Sequence, residues 1–324
     1  ISPETIYSGL KSREISKNIA IDQLISLIEG SNNPKFRSDS ISILNNLNIH
    51  DVKIFKVIET SLLSDEAPIV RSSAMNLIGR LYLREGLNSL IWVVQHDKSP
   101  LVIKALFDLH IDLNDSRLKL LKQELNNYLE NIAETIRIVR SEARFILDLE
   151  GIFASTEENY QLEINSYKLF SKIRDDKLKE FWLTVKHNHI EALSFNYFNW
   201  KYLKQNPRMF DSISNLQEPL VYLDMLRKYH LSHINDFIIP KSISRLTKLK
   251  KLNLSKNNIR FLPKSFFLLS KLRYLDLSYN MLTEIPKEIT ILKFLNTLRL
   301  QGNHISEIPK PISEYLDRLD NFKI

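Results

Sequence analysis

Apolar positions in the last third of the chain return at a fixed interval. Leu249, Leu252, Leu254, Asn257, Ile259, Leu262, Pro263 and Leu269 form one unit. The same pattern recurs 23 residues on at Leu272, Leu275, Leu277, Asn280, Leu282, Ile285, Pro286 and Leu292. It recurs again at Leu295, Leu298, Leu300, Asn303, Ile305, Ile308, Pro309 and Ile312. The L-x-x-L-x-L stretch places alternate side chains on one face of a short strand, and that face needs apolar neighbours. The Asn that follows has an amide able to bond backbone groups of adjacent turns. Pro then ends strand pairing and returns the chain along the other side. One such unit cannot bury its own apolar face, so the pattern predicts stacked coils.

These units resemble the 23-residue leucine-rich repeat, L-x-x-L-x-L-x-x-N-x-L-x-x-L-P, over Leu249 to Ile312. The resemblance implies a curved solenoid with a parallel sheet on its concave face, which is the usual binding face in that family. Weaker copies are expected upstream, one with a strand at Leu220, Leu223 and Met225 and one at Ile190, Leu193 and Phe195. Ser313 to Leu319 is expected to close the stack as a polar-faced cap.

The first half carries a helical period. Ile21, Leu24, Ile25, Leu27 and Ile28, then Ile54, Val57, Ile58 and Leu62, then Leu87, Leu90, Ile91 and Val94 each predict an amphipathic helix. Each is followed by a proline-led start: Pro34-Lys35-Phe36-Arg37, Pro68-Ile69-Val70-Arg71 and Pro100-Leu101-Val102-Ile103. The run Asp65-x-x-Pro68-x-Val70-Arg71-x-x-Ala74 is similar to a HEAT repeat, which implies Asp–Arg pairing between successive units. Four stacked helix pairs are expected over about residues 10–150, with small Ala74, Ala105 and Ala143 allowing close helix approach. Residues 155–186 read as a helical, aromatic-rich coupling element. The expected architecture is an α+β repeat solenoid: an N-terminal α-helical HEAT-like superhelix over 1–186, then a leucine-rich-repeat solenoid with a parallel concave sheet over 187–324.

Composition narrows the chemistry. The 324 residues contain six glycines, spread too far apart for a phosphate-cradling loop, so GxGxxG, GxxxxGK[ST] and GxSxG motifs are all missing. No cysteine is present, which removes disulfides, thiolate nucleophiles and Cys-held metals and suits a reducing, cytoplasmic setting. No apolar run reaches the ~18–20 residues that span a bilayer. His187, His189, His230 and His233 could be imagined around a metal, but solvated or structural histidines are the preferred reading. Paired acids such as Glu157-Glu158 and Asp175-Asp176 lie in turn-like stretches, not in a cleft that would set their acidities apart. Trp92, Trp182 and Trp200 fall in apolar patterns and are expected in cores or in inter-domain packing, not as stacking platforms. No catalytic residue, metal site or cofactor is expected.

Charge is uneven. Residues 241–324 hold 16 Lys and Arg against 7 Asp and Glu, within a formal net charge of +7 for the whole chain. Nucleic-acid binding through that basic surface is the alternative function. The leading expectation is a non-catalytic scaffold that binds a protein partner on the strand face. Exposed strand positions are expected to show Tyr222 and Asp224, Lys251 and Asn253, Tyr274 and Asp276, then Thr297 and Arg299. Tyr197, Arg227, Lys256, Tyr279 and Gln301 are expected just beyond the strands. Tyr and Arg are enriched in interface hot spots. Repeats of this L-P-x-x-I-x-x-L type resemble those that engage small GTPases and signalling enzymes, which makes such a protein the implied partner class.

Overall fold

The structure is a computed structural model of the 324-residue chain, and it describes residues 1–109, 116–154, 182–194 and 237–324. Its contacts divide the chain into two units. The first contains the described residues of Ile1–Asn131 and Leu147–Ser166, the second those of Ile132–Ile146 and Tyr167–Ile324.

Helices α1 (Pro3–Lys11), α2 (Lys17–Gly30), α3 (Pro34–Leu47), α4 (Val52–Ser64), α5 (Pro68–Leu81), α6 (Leu87–His96) and α7 (Pro100–Asp108) lie in the first unit. Their starts follow local chemistry. Ser2, Ser16, Asn33 and Asp51 accept the first free backbone N–H groups of α1–α4, and proline opens α3, α5 and α7. The proline-led helices stack on one another, α3 on α5 and α5 on α7, while α2 packs on α4 and α4 on α6. Ile41, Leu44, Ile58, Leu62, Val70, Ala74, Met75 and Ile78 fill the space between them.

An ion-pair ladder runs through this stack. Arg37 Nε and Nη2 each donate to the Asp65 carboxylate at 2.8 Å, and Arg71 repeats the fork on Asp97 at 2.7 and 3.1 Å. Each arginine also donates Nη1 to its own unit's turn, at Ser31 O or Asp65 O. Both acids also brace the turn before the next helix, Asp65 accepting from Ala67 N and Asp97 from Ser99 N. The third copy has Ile103 where the arginine would stand, and there the residue is part of the apolar core instead. Trp92 departs from expectation: it is 46% exposed and stacks on His96 at 4.6 Å.

The second unit includes the end of α8 (Lys119–Ile136), the start of α9 (Arg140–Ala154) and a six-stranded sheet in order β1-β2-β3-β4-β5-β6. Strands β1 (Trp182–Lys186) and β2 (His189–Ser194) form an antiparallel hairpin, and β3 (Lys251–Asn253), β4 (Tyr274–Asp276), β5 (Thr297–Arg299) and β6 (Asn321–Lys323) continue in parallel. The helical reading of Trp182–Lys186 is corrected here. His187 and Asn188 both adopt positive φ, the two-residue turn that matches strand twist, and it fixes the hairpin. The β2 register sets Leu193 opposite Leu252. The strand expected at Leu220, Leu223 and Met225, like Phe195 and most of the expected coupling element, lies outside the described residues. After α10 (Lys310–Leu316) caps the last coil, β6 adds a strand that the sequence pattern did not signal.

Between strands, each coil returns through a 3-10 helix that opens after a proline: Lys241–Arg245, Lys264–Leu268 and Lys287–Ile291. Leu252, Leu275 and Leu298 on the strands and Ile243, Phe266 and Ile289 on the return side are all buried. The asparagines join the coils as expected. Asn280 Oδ1 accepts from Asn257 N and Ile259 N at 3.0 and 2.9 Å, and its Nδ2 donates to Leu254 O and Leu277 O at 2.9 Å. Asn303 repeats the device on Leu282 N, Leu277 O and Leu300 O.

The hairpin is tied to the start of α9. Val139 N donates to Asn188 O at 2.7 Å, Glu142 Oε2 accepts from Ile190 N at 2.8 Å, and His189 Nδ1 lies 2.9 Å from Glu142 Oε1. Burial pushes the Glu142 carboxyl above its ordinary value, against the opposing pull of those two hydrogen bonds. A raised folded value means the folded state holds its proton more tightly than the unfolded one. This group's contribution to stability therefore falls as pH rises from about 4.5 through the raised value.

Three outcomes follow from these links. Asp97→Ala strands a nearly buried guanidinium and should cost about 3 kcal/mol in urea unfolding. Asn280→Ala leaves buried backbone groups of two coils unpaired and should cost about 3 kcal/mol by the same measurement. Glu142→Gln keeps an acceptor for Ile190 N, and its stability should decline less than wild type's as pH rises from weakly acidic to neutral.

Candidate functional site

Short parallel strands in exact alignment would be of little use if their outward side chains were disordered, so the contacts on that face decide what it can do. Lys251, Tyr274, Thr297 and Asn321 occupy one row across β3–β6, and Asn253, Asp276, Arg299 and Lys323 the next. Neighbouring strands in a sheet lie about 4.8 Å apart, so each row spans roughly 14 Å. Leu252, Leu275 and Leu298, between the rows, point inward and are buried.

Asp276 is the centre of the face and is not displayed as expected: it is 6% exposed. Its Oδ1 accepts from Ser278 N at 3.0 Å and Ser278 Oγ at 2.6 Å, and the Tyr274 hydroxyl donates to its Oδ2 at 3.2 Å. Arg299 Nη1 lies 3.6 Å from Oδ2, and its guanidinium carbon is 5.5 Å from the centre of the Tyr274 ring. Burial and the neighbouring carboxylate push the Tyr274 phenol above its ordinary value. Asn253 occupies the matching place one coil earlier and accepts from Ser255 N at 3.0 Å. Tyr274 and Arg299 thus cover a buried acid and hold one another in place.

Lys251 and Arg299 are exposed, and Thr297 and Asn253 are half-buried. On the strand's entry side, Lys250 Nζ pairs with Glu191 at 2.8 Å and holds that carboxyl below its ordinary value. Just beyond the strands, Lys256, Tyr279 and Gly302 share one left-handed position with φ of 61°, 56° and 71°. Gln301, expected in this column, is one residue out of step: it matches Ser278, and its carbonyl accepts from Tyr279 N. Tyr279 is 60% exposed and its ring lies against Gly302, where an added Cβ would fall 2.6 Å from Cδ1. Asn321 and Lys323, on the unexpected β6, and Gly302 are the members of the face that the sequence pattern missed. Spacing of 23 from Tyr279 would have found Gly302. Tyr197, Tyr222, Asp224 and Arg227 lie outside the described residues.

His189 is engaged with Glu142, and no group of three or more potential metal-ligating side chains occurs among the described residues. His230 and His233 lie outside them. No helix among the described residues is long and apolar enough to cross a membrane.

Residues 238–307 match the family model described as leucine rich repeat. The chain is also similar to a solved leucine-rich-repeat protein of Leptospira interrogans, with 42% identity over 26% of this chain and 22% of that one, at a TM-score of 0.24. The similarity thus spans about a fifth of that protein's length. No curated protein matches the chain. The stacked coils with their parallel strands thus match the leucine-rich-repeat pattern over 238–307.

Gly302→Ala would impose a left-handed backbone on alanine and press its methyl into the Tyr279 ring. It should cost about 1–2 kcal/mol in thermal or urea unfolding and change Tyr279 fluorescence.

Proposed function

We propose that this chain is a non-catalytic protein-interaction scaffold whose strand face, from Lys251 across Tyr274 to Arg299, receives a protein partner. Leucine-rich repeats generally mediate protein–protein interaction, which supports the class of function. The observation that carries the reading is the cross-braced set of Tyr274, Asp276 and Arg299. An aromatic ring and a guanidinium already fixed before binding lose little rotamer freedom on association, so more of the contact energy appears as affinity. Lys251, Tyr279 and Lys323 surround that set with longer-reaching polar contacts. The N-terminal helices, which carry the Arg–Asp ladder of HEAT-like repeats, serve in this reading as a rigid frame. A small GTPase or another signalling protein is the partner class proposed.

Partner capture from nuclease-treated lysate tests this. Wild type and a Lys264→Glu control should retain the same protein, and a folded Lys251→Glu, Tyr279→Ala variant should lose at least tenfold of it. Equal retention by all three sinks the strand-face reading. Recovery of salt-sensitive nucleic acid alone, from untreated lysate, would favour the basic surface as the function instead.

A further inference from the structure

The side of each coil away from the strand rows carries a feature the scaffold reading leaves unused. Lys241, Lys264 and Lys287 each open a 3-10 helix directly after a proline, and Lys310 opens α10 directly after Pro309. These four short helices pack side by side in chain order, so the lysines form one column at the 23-residue interval. All four are exposed, and none has a carboxylate partner among the described residues. The column begins in a strongly biased stretch. Residues 237–275 contain ten Lys and Arg and not one Asp or Glu. Exposed acids enter only in the later coils, at Glu284, Glu307, Glu314, Asp317 and Asp320.

Large apolar side chains of the same coils are also left in water. Leu268 and Ile291, the last residues of successive 3-10 helices, are 64% and 55% exposed. Phe294 is 51% exposed, with the Lys271 ammonium 5.2 Å from its ring centre. Phe261 is 59% exposed two residues before Pro263. Exposed apolar clusters among cations mark a surface that needs both kinds of contact at once.

We propose that this outer face docks peripherally on an anionic phospholipid surface. A bilayer interface offers a dense, fluid layer of phosphate and carboxylate headgroups above an acyl boundary that accepts aliphatic and aromatic side chains. The column is lysine at every coil, a flexible point charge suited to mobile headgroups, whereas fixed phosphates are read best by the planar fork of arginine. The phosphates of a nucleic-acid backbone would meet the lysines but give Leu268 and Ile291 no apolar environment. The face is independent of the strand rows, so docking leaves Tyr274 and Arg299 free for a protein partner.

Vesicle co-sedimentation of the full chain tests the proposal, using phosphatidylcholine vesicles with and without phosphatidylserine. Wild type should sediment with the phosphatidylserine vesicles and stay in solution with phosphatidylcholine alone. Replacing column lysines by Gln should weaken binding about fivefold for each, and the four-residue variant should lose it. Leu268→Ser, Ile291→Ser and Phe294→Ser together should leave a weaker association that high salt removes entirely. Lys251→Glu on the strand face should bind vesicles nearly as wild type does. All substituted groups are exposed, and circular dichroism should match wild type. The proposal is overturned by wild type that ignores phosphatidylserine vesicles, by a folded four-Gln variant that still binds them, or by duplex DNA displacing the vesicles at equal charge.

Discussion

The constraint on which the C-terminal repeats depend is the pairing of backbone groups inside each turn. A chain that folds back on itself every 23 residues leaves N–H and C=O groups at the inner corner, where neither strand nor helix can satisfy them. Leaving one buried and unpaired costs about 1–3 kcal/mol, and several per coil would exceed what a thin leucine layer returns. One asparagine per coil resolves this, because a single amide offers two donors and an acceptor in a fixed plane. Asn280 bonds to groups of its own coil and of the coil before it. That dual reach is what holds the strands in register. Register, in turn, lines up Lys251, Tyr274 and Thr297 on one row and Asn253, Asp276 and Arg299 on the other.

The helical stack meets the same demand with charge. Each Arg–Asp fork joins successive turns, and each acid also accepts from backbone N–H in the turn before the following helix. Isolated, a buried ion pair is a weak stabiliser, since desolvation offsets most of the attraction. Here the remaining guanidinium protons and carboxylate lone pairs reach backbone carbonyls and N–H groups, so the pair also fixes the turns between helices. Ile103 shows where the ladder stops: the position turns apolar and enters the core.

The coil register was legible from sequence because every residue in the unit answers a separate physical need at a fixed place: Leu for the interior, Asn for the corner, Pro for the return. Conversely, β1 is hidden in the sequence because its five residues continue an aromatic-rich pattern that reads as helical. The two-residue turn at His187-Asn188 was the available signal. Placing β2 next to β3 needed pairing across more than fifty residues, which no local pattern encodes. The alternation that sets Lys251, Tyr274 and Thr297 and Asn253, Asp276 and Arg299 in two rows was legible, but their depth was not. Alternation predicts that Asp276 points outward, and it does, yet Tyr274 and Arg299 from its own and the next strand lie over it. Side-chain length and cross-strand contact, not backbone period, decide exposure there.

The two sides of the coils solve opposite electrostatic problems. On the strand side, Asp276 is enclosed by donors, Arg299 lies within ion-pair reach of it, and Lys250 answers Glu191. Those pairs orient side chains and leave specific shapes for recognition. On the return side, a lysine repeats at each coil with no carboxylate in ion-pair reach among the described residues, and leucine, isoleucine and phenylalanine of the same coils are left in water. Unbalanced charge of one sign in a regular column raises self-repulsion without improving the fold. Exposed aliphatic side chains add a further cost in solvent. Neither feature is required by the repeat, since the lysine position lies outside the core and the corner. A selective reason for both on one side is an external surface that supplies negative charge and apolar volume together, and that is the chemistry of an anionic bilayer.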